Sequence, residues 1–402
     1  MRRVVVTGAG TINPLGKSVP ETLEAMREGR CAIGPLDIRD AGRLSIRIGG
    51  QVRDYAAEDH FNRQQISLYD RYVQFTLLAA REAIGQSGLR FEGELSARAG
   101  VILGTSGGGL QTQDENYRAV YEEGKNRVHP FVVPKLMNNA ACAHVSMEHN
   151  LKGPGFTVAS ACASSNHAIG QAFWYVRAGL APVMVTGGSE SMLCFGGIKA
   201  WEGLRVMSAD GCRPFCATRN GMVQGEGAGV FVLEEYEHAR ARGAEILAEL
   251  IGFAMSSDAA DIVMPSKQGA ARAIAGAVAD ARVPPEAVGY VNAHGTGTAA
   301  NDKTECAAVA DVFGAHADRL MISSTKSMHG HLIGATGAVE LLACIMAVRD
   351  GVVAPTAGYR EPDPECALDV VPNEAREARI EVALSNAFAF GGLNAVLALR
   401  AA

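Results

Sequence analysis

The chain has 402 residues, 48% of them hydrophobic and 20% charged, with a formal net charge of −6 at pH 7. That length can bury a large core, as one big domain or two medium ones, and the acidic balance excludes a general nucleic-acid binder. The nine cysteines are scattered without paired spacing, and Cys212 and Cys216 have no second pair to complete a zinc site, so a reducing, cytoplasmic setting is expected.

Val4 to Val6, running on to Gly8 and Gly10, predicts a strand and a tight turn. Gly16 comes too late for the G-x-G-x-x-G pattern of dinucleotide folds. The apolar run is also too short and glycine-broken for a signal peptide or membrane span. Glu21 to Arg30 predicts a short helix, and the recurrence of Tyr72, Phe75, Leu78, Ala79 and Ile84 predicts a longer one over 70–88. Ala99 to Leu103 predicts a buried strand that runs into a glycine-rich loop at 104–109. No Gly-Lys-Ser/Thr follows, so the loop is not a P-loop, and close backbone approach explains its glycines. Residues 111–150 are mixed.

Next comes Thr157 to His167, centred on Cys162. A strand ends near Val158, and Ile169, Ala172, Phe173 and Val176 then share one helical face, with Gly179 as a stop. A cysteine at such a junction meets unpaired backbone N–H groups and a helix dipole, which lower a thiol pKa and favour the reactive thiolate. The plain alternative is a small buried cysteine filling a gap. Val183 to Thr186 predicts a strand ending in Gly187 to Ser191, residues 203–226 read as loop, and Gly225 to Gly229 leads into a strand at Val230 to Leu233.

The second half replays the first. A helix over Ala273 to Ala281, a strand ending at Val291, a glycine/threonine loop at His294 to Thr298 and a helix from Asp302 parallel the elements around 70–109. Met321 to Lys326 and the apolar stretch Leu332 to Val348 parallel the cysteine strand and its helix, with the latter expected to be central and buried. Such long-range self-similarity predicts two related halves of an α/β fold rather than a solenoid. If matching loops converge, Cys162 meets His294, Lys326 and His331. Singly, each has a dull explanation as a cap, a solvated charge or a core histidine; all at strand-to-helix junctions beside glycine, they predict a shared pocket.

The stretches Ala161 to Ser165, Asn292 to Thr298, Ser324 to Ala335 and Ser385 to Gly392 resemble those of the β-ketoacyl-acyl-carrier-protein synthases, and the likeness spans the whole chain. Tyr359 to Pro364, Cys212 to Phe215 and Ala389 resemble the elongating type II branch in the variant typified by nodulation protein E. The resemblance implies a thiolase-like fold with two pseudo-symmetric halves in a layered α-β-α-β-α architecture. The expected division is 1–245, carrying the cysteine, and 246–402, carrying the histidines and lysine. It implies a homodimer that works with acyl carrier protein, whose phosphopantetheine arm carries the substrates, and no metal or organic cofactor.

By the same resemblance Cys162 is the acyl-accepting nucleophile, and the N–H groups of Cys162 and Phe390 form an oxyanion hole. His294 and His331 donate to the enolate left by malonyl decarboxylation, each with its proton on Nε2. Lys326 orders this network beside the structural acid Glu340, and Thr296 and Thr298 bind the pantetheine arm. Arg63, Lys125, Arg127 and Arg205 form a docking patch for the acidic carrier, thinned by Ser67 and Leu68 so as to suit a dedicated carrier. Gly107, where a bulky apolar residue is usual, is expected to open the end of the acyl pocket. Phe390 is the gating aromatic; Ala389 and Leu393 stand where glycine and threonine are more usual, and Ala389, less free than glycine, is expected to restrict its motion. A thiolase is disfavoured because Gly391 to Asn394 contains no second cysteine. A polyketide ketosynthase subunit shares the same residues, whereas a non-catalytic chain-length partner would lose Cys162.

Overall fold

In the computed structural model, which describes Met1 to Ala402, ten strands form one hydrogen-bonded sheet. They are β1 (Val4–Ile12), β2 (Gly100–Gly104), β3 (Gly155–Val158), β4 (Val183–Glu190) and β5 (Gly227–Glu235), then β6 (Ala248–Ser257), β7 (Val288–Asn292), β8 (Met321–Ser323), β9 (Val382–Ala389) and β10 (Leu393–Arg400). From the centre outward the first half runs β1-β5-β4-β2-β3 and the second β6-β10-β9-β7-β8. Each strand of the second half thus repeats the position of one in the first. The pairing sense repeats too: the two inner pairs are antiparallel and the two outer pairs parallel in both halves. A short antiparallel seam, Val4 to Val6 against Leu250 to Ala248, joins them.

Five helices matter for the site: α1 (Arg71–Ser87), α2 (Ser164–Arg177), α3 (Lys267–Ala281), α4 (Ala299–Phe313) and α5 (Thr336–Asp350). Both α2 and α5 touch strands of both halves and lie between them, while α1 and α3 cover the outer faces of the first and second. This is the layered thiolase-like arrangement. Every residue of α5 from Thr336 to Val348 is buried, as its all-round apolar sequence predicts. Full burial of Leu341, Leu342 and Ile345 contributes about 1.5–3 kcal/mol for each side chain.

One expectation needs correcting. Gly8 and Gly10 do not turn the chain, because β1 continues through them to Ile12. They are glycines because α1 crosses at backbone distance: a Cβ at either position would lie 2.0 Å from the carbonyl oxygen of Ala83 or Ala79. A strand glycine marking close approach leaves the same sequence signal as one marking a turn.

Candidate active site

Strand ends and helix starts deliver the site residues. β3 ends at Val158, and a single turn, Ala161–Ala163, places Cys162 just before α2. His294 follows β7 by two residues, Lys326 opens a short turn after β8, and a second tight turn, Ile333–Ala335, precedes α5. Phe390 follows β9 directly. The two turns share a feature: Ala161 and Ile333 both have φ of 48°, the left-handed region that costs an L-residue about 1–2 kcal/mol. They stand immediately before Cys162 and Gly334, at equivalent places in the two halves.

Cys162 Sγ and one ring nitrogen each of His294 and His331 lie within 4.8 Å of one another. The two imidazoles cross edge to face, with centroids 5.5 Å apart. In His331, Nδ1 accepts the backbone N–H of Ile333 at 3.2 Å and lies 2.8 Å from the Thr336 hydroxyl oxygen. The Ile333 N–H directed at Nδ1 favours the Nε2–H tautomer, in which the Thr336 hydroxyl, also 3.0 Å from the Ile333 carbonyl oxygen, turns its proton to Nδ1; Nε2 is buried with no partner in the chain. Burial, then the Lys326 charge, then a neighbouring histidine hold both imidazoles well below the usual histidine range, so both are neutral.

Lys326 is wholly buried and donates to Glu340 Oε1 at 2.5 Å. The His294–Thr298 loop hangs on two buried acids of α4. Glu305 accepts the N–H groups of His294 and Gly295 at 2.8 and 2.7 Å, and Asp302 accepts that of Gly297 at 3.2 Å. Asn386 of β9 also donates to Glu305, at 3.1 Å. Thr296 and Thr298 line the cavity in front of Cys162, with their hydroxyls 2.9 Å apart.

The Cys162 thiol departs from expectation. Burial pushes its pKa up to about 12, against the opposing pull of Lys326 and of the N–H groups of Phe390 and Cys162 itself. Desolvation outweighs the helix terminus, and the resting thiol is protonated at neutral pH. The backbone N–H groups of Phe390 and Cys162 nonetheless both bear on the sulfur.

Phe390 stacks on Trp201, with centroids 5.7 Å apart and planes 24° apart, and both line the cavity. Its turn is tied to the neighbouring loop by Gly391 N–H to the Ile262 carbonyl (2.8 Å) and by Asp258 N–H to the Gly392 carbonyl (2.9 Å). At rest the turn does not require a glycine at 389. Ala389 is the last β9 residue, paired with Leu393, and the left-handed positions are Gly391 and Gly392.

The open space expected at Gly107 also needs correcting. A Cβ there would lie 2.5 Å from Met192 Cε. The space freed by glycine is filled by a flexible thioether. Arg63, Lys125, Arg127 and Arg205 are all exposed; Lys125 is paired with Glu123 at 2.7 Å, and Arg205 adjoins Val206 in the cavity wall. Glu305, Trp201, Met192 and Thr336 escaped the sequence reading, because an acid bonded to backbone, a stacked ring or a space-filling side chain leaves no spacing signature.

No helix is long and apolar enough to cross a membrane. The family model described as Beta-ketoacyl synthase, N-terminal domain, matches residues 1–239, and that for the C-terminal domain matches 247–360. The chain is 49% identical over 399 residues to nodulation protein E of Rhizobium leguminosarum bv. trifolii, covering 99% of each. It is 41% identical over 408 residues to 3-oxoacyl-[acyl-carrier-protein] synthase 2 of Synechocystis sp., covering 99% of this chain and 98% of that one. The solved structure of the ishigamide ketosynthase/chain length factor superposes with a TM-score of 0.94 at 34% identity, over 100% of this chain and 99% of that one. With its catalytic-type cysteine, paired neutral imidazoles and repeated halves, the chain belongs to the β-ketoacyl synthase family.

Proposed function

We propose that the chain condenses a Cys162-bound acyl group with malonyl-acyl carrier protein, releasing carbon dioxide. The observation that carries this is the meeting of the Cys162 thiol with the two neutral imidazoles of His294 and His331, under the N–H groups of Cys162 and Phe390. In the first step Cys162 Sγ attacks the acyl thioester carbon, and the carbon–sulfur bond to pantetheine breaks. The thiol proton leaves with the departing pantetheine, so the high resting pKa is no obstacle once the two sulfurs exchange. The two N–H groups stabilise the tetrahedral oxyanion.

In the second step the malonyl carboxylate leaves as carbon dioxide and its electron pair forms an enolate. Nε2–H of His331 and a ring N–H of His294 donate to the enolate oxygen, each contributing about 3–4 kcal/mol by analogy with other oxyanion donors. The enolate carbon attacks the Cys162 thioester, the product departs on the carrier, and the thiolate takes up a proton. Lys326, held in place by Glu340, keeps its positive charge beside the imidazoles, and Thr296 and Thr298 bind the pantetheine arm. Arg63, Lys125, Arg127 and Arg205 attract the acidic carrier.

The three sulfur and nitrogen ligands could in principle hold a metal ion. The proton fixed on Nε2 of His331 and the nearby Lys326 charge oppose that, so the reading uses no metal. The division at 245/246 falls between β5 and β6, and cytoplasmic placement is part of the same reading. A homodimer is supported by the open edge of β3, whose Phe156 is 37% exposed, and by Phe131 and Val133 at 49% and 61%. A polyketide ketosynthase is the second reading, favoured by the ketosynthase likeness above. The test is the intact mass of the protein after incubation with acyl carriers of graded length. One acyl group gained, and absent in Cys162→Ala, supports the reading; no acylation at any length overturns it in favour of a non-catalytic partner.

A further inference from the structure

Glu190, the last residue of β4, is wholly buried. No cation pairs with its carboxylate. Oε2 accepts the N–H groups of Ser106 (2.8 Å) and Gly334 (3.1 Å), and Oε1 accepts that of Gly107 and the hydroxyl of Thr105, both at 3.1 Å. One carboxylate therefore ties the loop after β2 to the turn before α5. Burial pushes its pKa up to about 7 against those bonds. A buried carboxylate without a cation is costly, so its retention calls for a reason.

The reason lies in what the Ile333–Gly334 turn does. Ile333, β-branched and left-handed, gives its N–H to Nδ1 of His331, and this bond sets the tautomer. The next N–H in the chain, that of Gly334, goes to Glu190. The packing admits little slack, because a Cβ at Gly334 would lie 2.6 Å from Ser106 N and 2.7 Å from Glu190 Oε2. Relaxing the strained turn would swing the Ile333 N–H away and free Nδ1 to take the proton.

We propose that Glu190 is a positioning residue: it clamps the Ile333–Gly334 turn and through it holds the Nε2–H tautomer of His331 facing the pocket. This rests on the reading of His331 as a donor to the enolate. It separates the two half-reactions, since acyl transfer to Cys162 does not use that donor whereas decarboxylation does.

The test uses the full chain carrying Glu190→Gln, whose amide offers one acceptor oxygen where the carboxylate offers two, and Glu190→Asp, which shortens the clamp but keeps the charge. Imidazole 15N shifts of ring-labelled protein, assigned with His331→Gln, report the tautomer without any turnover. Carbon dioxide release from malonyl-carrier protein and acylation of Cys162 by intact mass report the half-reactions. The expected result is a mixed or reversed His331 tautomer and a fall of about tenfold or more in kcat for carbon dioxide release, with KM little changed and acylation not slowed, since losing the Glu190 charge only eases ionisation of the Cys162 thiol. An unchanged tautomer in the folded variants overturns the inference, as does a parallel fall of both half-reactions, which marks a general structural role. A changed tautomer with full carbon dioxide release upholds the clamp and instead overturns the role given to His331. If Glu190→Gln does not fold, Glu190→Asp and Thr105→Val, which removes one donor to the clamp, are read by the same criteria.

Discussion

Lys326 Nζ and Glu340 Oε1 stand 2.5 Å apart with both side chains out of solvent. Removing one partner strands the other as an uncompensated buried charge. Glu340→Ala is therefore expected to cost about 3–5 kcal/mol, while the joint change Lys326→Met with Glu340→Leu recovers most of that loss. Urea unfolding checks the stability. Condensing activity is expected to stay low in both variants, because the positive potential beside the imidazoles is gone in the second and unbalanced in the first.

Cys162 is expected to react slowly with iodoacetamide at neutral pH. A thiol held near 12 by burial is almost wholly protonated there, so the rate should rise about tenfold for each pH unit from 7 to 9.5, without a plateau. Lys326→Met raises the thiol pKa further and lowers the rate at every pH. Peptide mapping against the exposed Cys31 measures both; a plateau near pH 7 in the wild type would show a thiolate already present.

Gly107 and Met192 are expected to act as one unit in primer length. A phenylalanine at 107 must displace the Met192 thioether and so shortens the longest acyl group accepted. Met192→Ala leaves a hole beside Gly107 and lengthens it by roughly two carbons, each buried methylene contributing about 0.8 kcal/mol. Acyl-enzyme masses across a graded primer series read the profile, and identical profiles in the wild type and both variants would contradict the pairing.

Arg205→Glu is expected to raise KM for carrier-borne substrates about tenfold, with the effect shrinking at high salt. Its place beside the cavity wall makes it the strongest of the basic residues. Lys125→Glu should do less, since Lys125 already spends its charge on Glu123. Steady-state kinetics at two ionic strengths compare them, and equal effects would place docking elsewhere.

Trp201 offers a direct test of Phe390 as a gate. It is one of two tryptophans, so Trp174→Phe leaves it as the sole emitter. If Phe390 lifts off its ring when substrate enters, emission changes on acylation in that variant. An aromatic stack of this kind is worth about 0.5–1.5 kcal/mol, small enough for thermal opening.

Much of this architecture is legible in the sequence because its signals are periodic or punctuated. The all-round apolar run of α5, the glycine stops at Gly88 and Gly179, and the replayed order of elements each follow from one rule of packing or backbone geometry. Cys162, His294, Lys326 and His331 stand out for the same reason, as reactive types at strand-to-helix junctions. What stayed hidden depends on contacts between distant segments. Gly8 and Gly10 looked like a turn because only α1 shows otherwise. Gly107 reads as open space in the sequence because nothing there reveals the Met192 thioether that fills it. The Cys162 thiol looked activated because a helix start is visible in sequence while complete burial is not. Glu190 and Glu305 were passed over because backbone N–H groups, which every sequence possesses, are what hold them.

The seam between Val4–Val6 and Leu250–Ala248 bears on how the polypeptide could be divided. Cut near 245, each piece would expose a strand edge there. The second piece would also bare one side of α5, and the first one side of α2. Neither fragment has its core enclosed, so the two are expected to be insoluble when made singly and to reconstitute an active enzyme when made together. The internal repeat therefore describes likeness of form without independence of folding: the halves match in outline and are obligate partners in substance.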